Sequence, residues 1–461
     1  MLKFIAAALS ATLALGLPPA AHAASDAELQ AIRDEIRQLK KNYETRIDAL
    51  EKRLQQAEAG KAQAEVAASQ SQALHVPAAA KPTNLANPDI SLILQGTYKN
   101  LSQDPANARI SGFLTNGETG PRRRGFSLAE SELDLFANIS PYLYGGINIA
   151  IEPDDKVGVE EAYIQTLGLS KGFTIKAGRY FSPVGYQNEI HQHAWDFYDA
   201  PLAHQAFLGT GPVGNYGNEG VQVKWLAPTD LFLELGAEIG RGRDFPGSDR
   251  NKNGIGASAA FAHVGGDIGV SQSYRAGLSF VNNEPRGRQS SDIDVAGATV
   301  TNVFSGSSRL LIADAIWKYA PNGDPSYTNL KLQGEYFYRW ENGTLVYDVN
   351  SVSLGASSGA FSSAQSGFYL QGVYQFLPRW RAGLRGDLLF SGSVDNGANN
   401  ANLVRSGFNP SKYTAMLDYS PTEFDRFRLQ LAHDKSRPGF TDNQLILQFI
   451  TSIGSHGAHQ F

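Results

Sequence analysis

From Asp89 to the C-terminus, apolar and polar residues alternate with a period of two, the spacing of a strand whose two faces meet different surroundings. Between 330 and 341, Leu330, Leu332, Gly334, Tyr336, Tyr338 and Trp340 alternate with Lys331, Gln333, Glu335, Phe337, Arg339 and Glu341. Between 380 and 391, Trp380, Ala382, Leu384, Gly386, Leu388 and Phe390 alternate with Arg381, Gly383, Arg385, Asp387, Leu389 and Ser391. Residues 231–239 and 368–376 repeat the pattern. One face is apolar with aromatics near its ends and the other carries charges and amides, as expected with lipid outside and water inside. A soluble sandwich also alternates, so the connections decide. Very short turns (141–142, 170–172, 228–230, 377–379, 421–425) alternate with long polar loops near 103–125, 183–218, 243–256, 286–307, 342–366 and 393–411. That is the pattern of outer-membrane barrels. Strands are expected to begin near residues 90, 126, 143, 157, 173, 219, 231, 256, 273, 308, 328, 367, 380, 412, 425 and 443. The expected fold is an all-β transmembrane barrel of about sixteen antiparallel strands, an even number and enough to leave an aqueous lumen.

Three other textures precede the barrel. Lys3, an apolar run from Phe4 to Leu17 and Ala21-His22-Ala23 read as a signal peptide over 1–23. The apolar run is too short for a membrane anchor, and Pro18-Pro19 breaks it. In 24–58, Leu29, Ile32, Ile36, Leu39 and Tyr43 fall on one helical stripe that continues through Ile47, Leu50 and Leu54, which predicts a short α-helical coiled coil in the periplasm. Residues 59–88, rich in Ala, Gln, Ser and Pro, form a linker. The barrel domain is 89–461.

Composition narrows the function classes. With a net charge of −5 and no basic tail there is no nucleic-acid footprint, and the absence of cysteine removes disulfides and thiolate metal sites.

If apolar residues face lipid, their neighbours line the pore. Early strands then contribute Glu130, Glu132, Asp134, Glu161, Glu234 and Glu238, and later strands Arg275, Lys331, Arg339, Arg381, Arg385, Arg426 and Arg428. Charges segregated in this way would set a transverse field across the lumen; alternatively they pair with their neighbours and keep the interior wet. The loop 183–218 is too aromatic to stand in water, with Tyr186, Trp195, Phe197, Tyr198, Phe207 and Leu208. It is expected to fold inward as the constriction. It gathers Glu189, His191, His193, Asp196, Asp199 and His204, and contains no Lys or Arg. His191 and His193, alternating on an extended segment, point the same way and suit zinc; the other reading is hydrogen bonding that pins the loop to the wall. The acids predict a constriction that prefers cations, with histidines that titrate near pH 6.5 if unperturbed.

Enzyme motifs are weak. Residues 209–214 fit GxGxxG, but Pro212 interrupts them and no helix opens after them. Residues 249–254 match half a calcium loop, yet position twelve is Ala260, so a polar turn competes with calcium. Pro121-Arg122-Arg123-Arg124 could attract anions or lipopolysaccharide phosphates; otherwise it is ordinary loop charge.

Together, signal peptide, coiled coil, linker and barrel resemble the trimeric Gram-negative porins with an N-terminal periplasmic coiled coil. Gly178-Arg179-Tyr180-Phe181-Ser182-Pro183-Val184-Gly185 is similar to the G-x-[FY]-x-x-P-x-G segment of phosphate-selective porin O/P-like proteins. The terminal Phe461, after a strand with Leu445, Leu447, Phe449 and Ile453 outward, resembles the assembly signal of outer-membrane barrels, although 455–459 breaks the alternation. The resemblance implies passive diffusion of small hydrophilic solutes through a homotrimer in the outer membrane. Its partners there would be lipids and lipopolysaccharide, with peptidoglycan as a contact of the coiled coil. Phosphate-selective members line their constriction with lysine and arginine, and this loop offers none, so phosphate selectivity does not carry over. The competing classes are a structural tether to the cell wall and a barrel enzyme, for which no nucleophile–base pair stands out.

Overall fold

The computed structural model describes residues 88–454 except 116–118, 210–214, 250–252 and 405, together with Gln30, Arg37 and Lys41 upstream. The signal peptide, nearly all of the coiled coil and linker, and Phe461 lie outside the described residues.

The strands begin close to where the alternation puts them. They are β1 (Asp89–Leu101), β2 in two pieces (Gly125–Leu128 and Ser131–Ser140), β3 (Leu143–Ile151), β4 (Val157–Thr166), β5 (Phe173–Phe181) and β6 (Gly217–Leu226). β7 (Phe232–Gly240), β8 (Ala257–Ile268), β9 in two pieces (Gln272–Asn283 and Arg286–Ile293), β10 (Thr299–Tyr319) and β11 (Asn329–Tyr347) follow. β12 (Ser357–Leu377), β13 (Trp380–Asp395), β14 (Ser411–Tyr419), β15 (Asp425–Arg437) and β16 (Phe440–Gly454) complete the sheet. Both pieces of β2 pair with β1, and both pieces of β9 with β10, so each counts as one strand. Every strand runs antiparallel to its sequence neighbours, and β1 closes on β16 from Ser91↔Gly454 to Leu101↔Gln444. The described residues thus form a closed barrel of sixteen strands.

Period two sorts the side chains as expected. Leu332, Leu370 and Leu384 face outward, while Gln333, Glu335, Arg339 and Glu341 are buried inside. Trp380 stacks on Tyr419 at the short-turn end, with ring centroids 4.6 Å apart, and Phe368 meets Phe390 at 6.3 Å further along the same wall. The interval between Trp380 and Phe390 matches the about 9–11 residues a tilted strand needs to cross a bilayer, with aromatics at both interfaces.

Two stretches expected to be loops are largely strand, and a third begins as strand. Residues 286–307 form the second piece of β9 and the start of β10, 342–366 the end of β11 and the start of β12, and the first residues of 393–411 the end of β13. β10 and β12 have 21 residues each, a length of about 70 Å that carries them well past the membrane. There neither face meets lipid, so the apolar–polar code lapses while the backbone ladder continues. Val300, Phe304, Leu345, Tyr347, Phe361 and Leu403 bury one another to hold this extension together.

Candidate pore constriction

The segment 178–185 leads β5 into the lumen, and its two outer glycines have backbone reasons. Gly178 (φ 129°) lies so close to β4 that a Cβ would strike the Ala162 carbonyl. Gly185 (φ 73°) turns the chain inward where a Cβ would sit 3.0 Å from Glu335 Oε1. That carboxylate, from β11, accepts the N–H groups of Tyr186 and Gln187, the latter at 2.7 Å. Asn188 ties the two ends of the loop together. Its Nδ2 donates to the carbonyls of Ser182 and Tyr216, each at 2.7 Å, and its Oδ1 accepts the Tyr216 N–H at 2.9 Å.

Inside the lumen the loop forms one short helix, α1 (Leu202–Phe207), all of it buried. Phe207 stacks on Phe337 of β11 with centroids 5.8 Å apart, and Phe113 packs edge-on against it. Leu310, Ile312, Tyr369 and Leu389 turn inward to complete this apolar seat. One sector of the lumen is therefore dry, because it has a loop to hold. Asp387 Oδ1 accepts the N–H of Leu202 at 2.9 Å, and Arg339 donates to the carbonyl of Ala206 at 3.0 Å.

Where the loop meets the early strands, its histidines face acids. His193 Nδ1 is 2.8 Å from Glu132 Oε1. His191 Nδ1 lies 3.3 Å from Glu132 Oε2 and 3.2 Å from Glu160 Oε2, and its Nε2 lies 3.1 Å from Glu161 Oε2. Burial opposes charge on the His191 imidazole, but the three carboxylates outweigh it and hold its pKa well above the usual histidine range. Adjacent residues of a strand normally face opposite sides. Here Asn148↔Glu161 is followed by Ile149↔Val159, a bulge that leaves Glu160 as the extra residue and turns both acids inward. Asp134 stays within this wall, accepting from Ser91 Oγ at 2.9 Å and from Asn148.

Where the loop meets the later strands, its aspartates face bases. Asp196 pairs with Lys331 and, at 3.2 Å, with Arg381, which also reaches Asp418 at 2.6 Å. Asp199 pairs with Lys412 at 2.6 Å and Arg385 at 3.1 Å, and accepts from Gln430 at 2.8 Å. Burial works against charge on both aspartates, and the facing cations more than offset it, keeping both well below the ordinary carboxylate range. Arg428 bonds Asp418 at 2.9 Å and the Trp195 carbonyl at 2.8 Å.

Space remains beside the loop. A cavity of about 80 Å³ is lined by Glu130, Glu160, Arg122, Tyr198, Asp199 and Gln205 among others. A second, of about 30 Å³, shares Gly120 and Gln205 with it and reaches Gln103, Arg437 and Phe440 where β1 ends and β16 begins.

The structure thus brings His191 and His193 to Glu132 and Glu161, and Asp196 and Asp199 to Lys331, Arg381 and Arg385. It separates the other two loop residues of the expected cluster. His204 lies on α1 between Trp195 and Phe337, with ring centroids 6.4 Å from each, and meets no acid among the described residues. Burial pushes its pKa down to about 3, so His191 and His204 move away from the expected titration near pH 6.5 in opposite directions. Glu189, in a one-turn helix, makes none of the bonds to the histidines. Glu160, Lys412 and Asp418 were not singled out from sequence: a bulge hid the first, and the other two differ in no local way from other strand charges. Thr210 to Gly214 of the GxGxxG match, and residues 250–252 of the half calcium loop, lie outside the described residues.

No protein-family model matches the chain. A protein of Aquifex aeolicus (strain VF5), described as uncharacterized, is 33% identical over 403 residues, covering 81% of this chain and 80% of its own length. Among solved structures, the outer membrane channel DcaP of Acinetobacter baumannii is similar at a TM-score of 0.48 and 14% identity, over 79% of this chain and 97% of its own. The trimer form of Vibrio cholerae OmpT gives 0.48 at 11% identity, over 79% and 99%. The anion-selective porin of Comamonas acidovorans gives 0.44 at 10%, also over 79% and 99%.

Proposed function

We propose that this chain, which belongs to the same family as that Aquifex aeolicus protein, is an outer-membrane channel of the porin type that passes small hydrophilic solutes and ions through its lumen. The observation that carries the reading is the pairing of an apolar outer wall with a charged lumen narrowed by an inward loop. The passage is the run of space beside the loop. Because Asp196 and Asp199 are paired with bases, the cation preference expected from the loop's own acids falls instead to Glu130 and Glu160, which line the larger cavity. Membership of the phosphate-selective porin O/P-like superfamily, a homotrimer, and contacts with lipopolysaccharide and peptidoglycan belong to the same proposal and rest on the resemblance drawn from sequence.

The test is conductance in planar bilayers. Purified protein should give discrete steps of small unit size, with a reversal potential in a salt gradient that reports cation preference. A protein that inserts and never conducts would defeat the channel reading. It would favour a tether, a role that suits a lumen so nearly filled by its own loop.

A further inference from the structure

We propose that Glu132, Glu160 and His191 form a binding site for a first-row divalent metal ion of the zinc class, at the joint between the acidic wall and the constriction loop. The site stands whether or not the barrel conducts.

Three elements meet there: β2 supplies Glu132, β4 supplies Glu160 through its bulge, and the loop supplies His191. Each offers one ligand atom, and the three atoms lie within 4.8 Å of one another. The edges already formed have the right length. Metal–ligand bonds of about 2.0–2.1 Å in a tetrahedron put ligand atoms about 3.3 Å apart, and His191 Nδ1 is 3.3 Å from Glu132 Oε2 and 3.2 Å from Glu160 Oε2. Only the gap between the two carboxylates has to close.

The surrounding groups hold the ligands in the sense a metal requires. With a metal bound in place of the Nδ1 proton, Glu161, 3.1 Å from Nε2, would accept the remaining N–H and leave the Nδ1 lone pair toward the site. His193 takes the far oxygen of Glu132 at 2.8 Å. The two histidines thus divide the work. His191 ligates and His193 orients, whereas sequence alone suggested that both ligate.

A separate observation is the local excess of acid. Glu130 is 7% exposed, and Arg122, the cation beside it, is bonded to Glu152. Glu130 shares the wall of the 80 Å³ cavity with Glu160, a volume that holds about two or three waters and so can complete a coordination shell. Three buried carboxylates, Glu130, Glu132 and Glu160, and the half-buried Glu161 gather here around two imidazoles, and a dication would balance them. One imidazole with carboxylates selects zinc, cobalt or manganese over calcium, which takes about six to eight oxygens. The bound ion would join β2 and β4 to the loop and fix the constriction.

The experiment titrates the full-length protein in detergent, stripped with chelator, with Co²⁺ and then Zn²⁺. One equivalent of Co²⁺ should bind with the visible absorption of a low-symmetry nitrogen–oxygen site, and Zn²⁺ should displace it, while equal Ca²⁺ or Mg²⁺ should not. Glu160→Gln should weaken binding by about a hundredfold or more and His193→Gln by about ten- to a hundredfold, with folding checked by heat-dependent gel migration. If Glu160→Gln does not fold, the Co²⁺ spectrum of the unaltered protein decides. The absence of saturable binding below millimolar metal would overturn the proposal. So would equal competition by Ca²⁺, or a folded Glu160→Gln variant that binds as the parent does. None of these readings involves conductance.

Discussion

One loop is held by two opposed walls, and the walls hold it differently. On the β11–β15 side, Asp196 and Asp199 enter a lattice in which cations and acids satisfy each other, Lys331, Arg381, Arg385, Lys412 and Arg428 being shared with Asp387 and Asp418. On the β2–β4 side, two histidines serve a larger set of carboxylates, Glu132, Glu160 and Glu161, with Glu130 buried beside them. On the basic wall Asp196, Asp199, Asp387 and Asp418 each have a facing cation, and removing such a cation should leave a buried carboxylate short of its partner. The acidic wall carries an excess of one sign, and removing a member should relieve it. Segregated charge across a lumen therefore does not imply two equivalent clamps.

The comparison is broken most sharply by Arg428→Ala. It leaves Asp418 to Arg381 alone and the Trp195 carbonyl without its nearer donor, and the loss of one partner from a buried pair, about 3–5 kcal/mol, sets the upper end of the cost. The urea midpoint should fall accordingly; an unchanged midpoint would mean that the lattice is ornamental. His204→Leu comes next and acts through pH. The folded-state pKa of His204, about 3, lies below the unfolded value of about 6.5. Between these pH values the unfolded chain binds the extra proton, so stability is full above about pH 6.5 and falls as pH drops toward 3. At pH 5 the native protein should have lost about 2 kcal/mol to this residue, and the leucine variant should not show that part of the slope. Parallel pH profiles would place a partner on the ring. Glu130→Gln should have the smallest effect, ranging from none to a gain of about 1 kcal/mol in metal-free buffer. A loss like that of Arg428→Ala would erase the difference between the walls.

Much of this was legible from period two, because lipid on one face and water on the other write a different residue onto each successive position. Strand starts from Leu143 to Trp380 follow it closely, except at Thr299 and Ser357, where the strands begin nine or ten residues early. It failed where one of the two solvents was missing. The extensions through Ser357-Ser358-Gly359 and Arg286–Ile293 are strands without a lipid face. Leu310, Phe337 and Leu389 face inward yet are apolar, because α1 rather than water covers them. The inward loop was legible from its aromatics. Its chemistry was only partly so: His191 and Asp196 meet charged partners on the wall, as an inward loop requires, while His204, five residues after Asp199, sits on a buried helix away from the acids. Glu160 was hidden by a single inserted residue that reverses the side it faces.

In the proposed channel, ion pairs to the basic wall hold the loop in the lumen and set the width of the passage. The direct measurement is unit conductance of the unaltered protein and of Asp196→Asn with Asp199→Asn, in the same planar bilayers and salt. Both changes leave loop length and shape intact while cutting the pairs to Lys331, Arg381, Lys412 and Arg385. The variant should conduct several-fold more per step, with flickering between levels as the loop leaves its seat. Equal, quiet steps from both proteins would contradict the claim and place the resistance of the channel elsewhere.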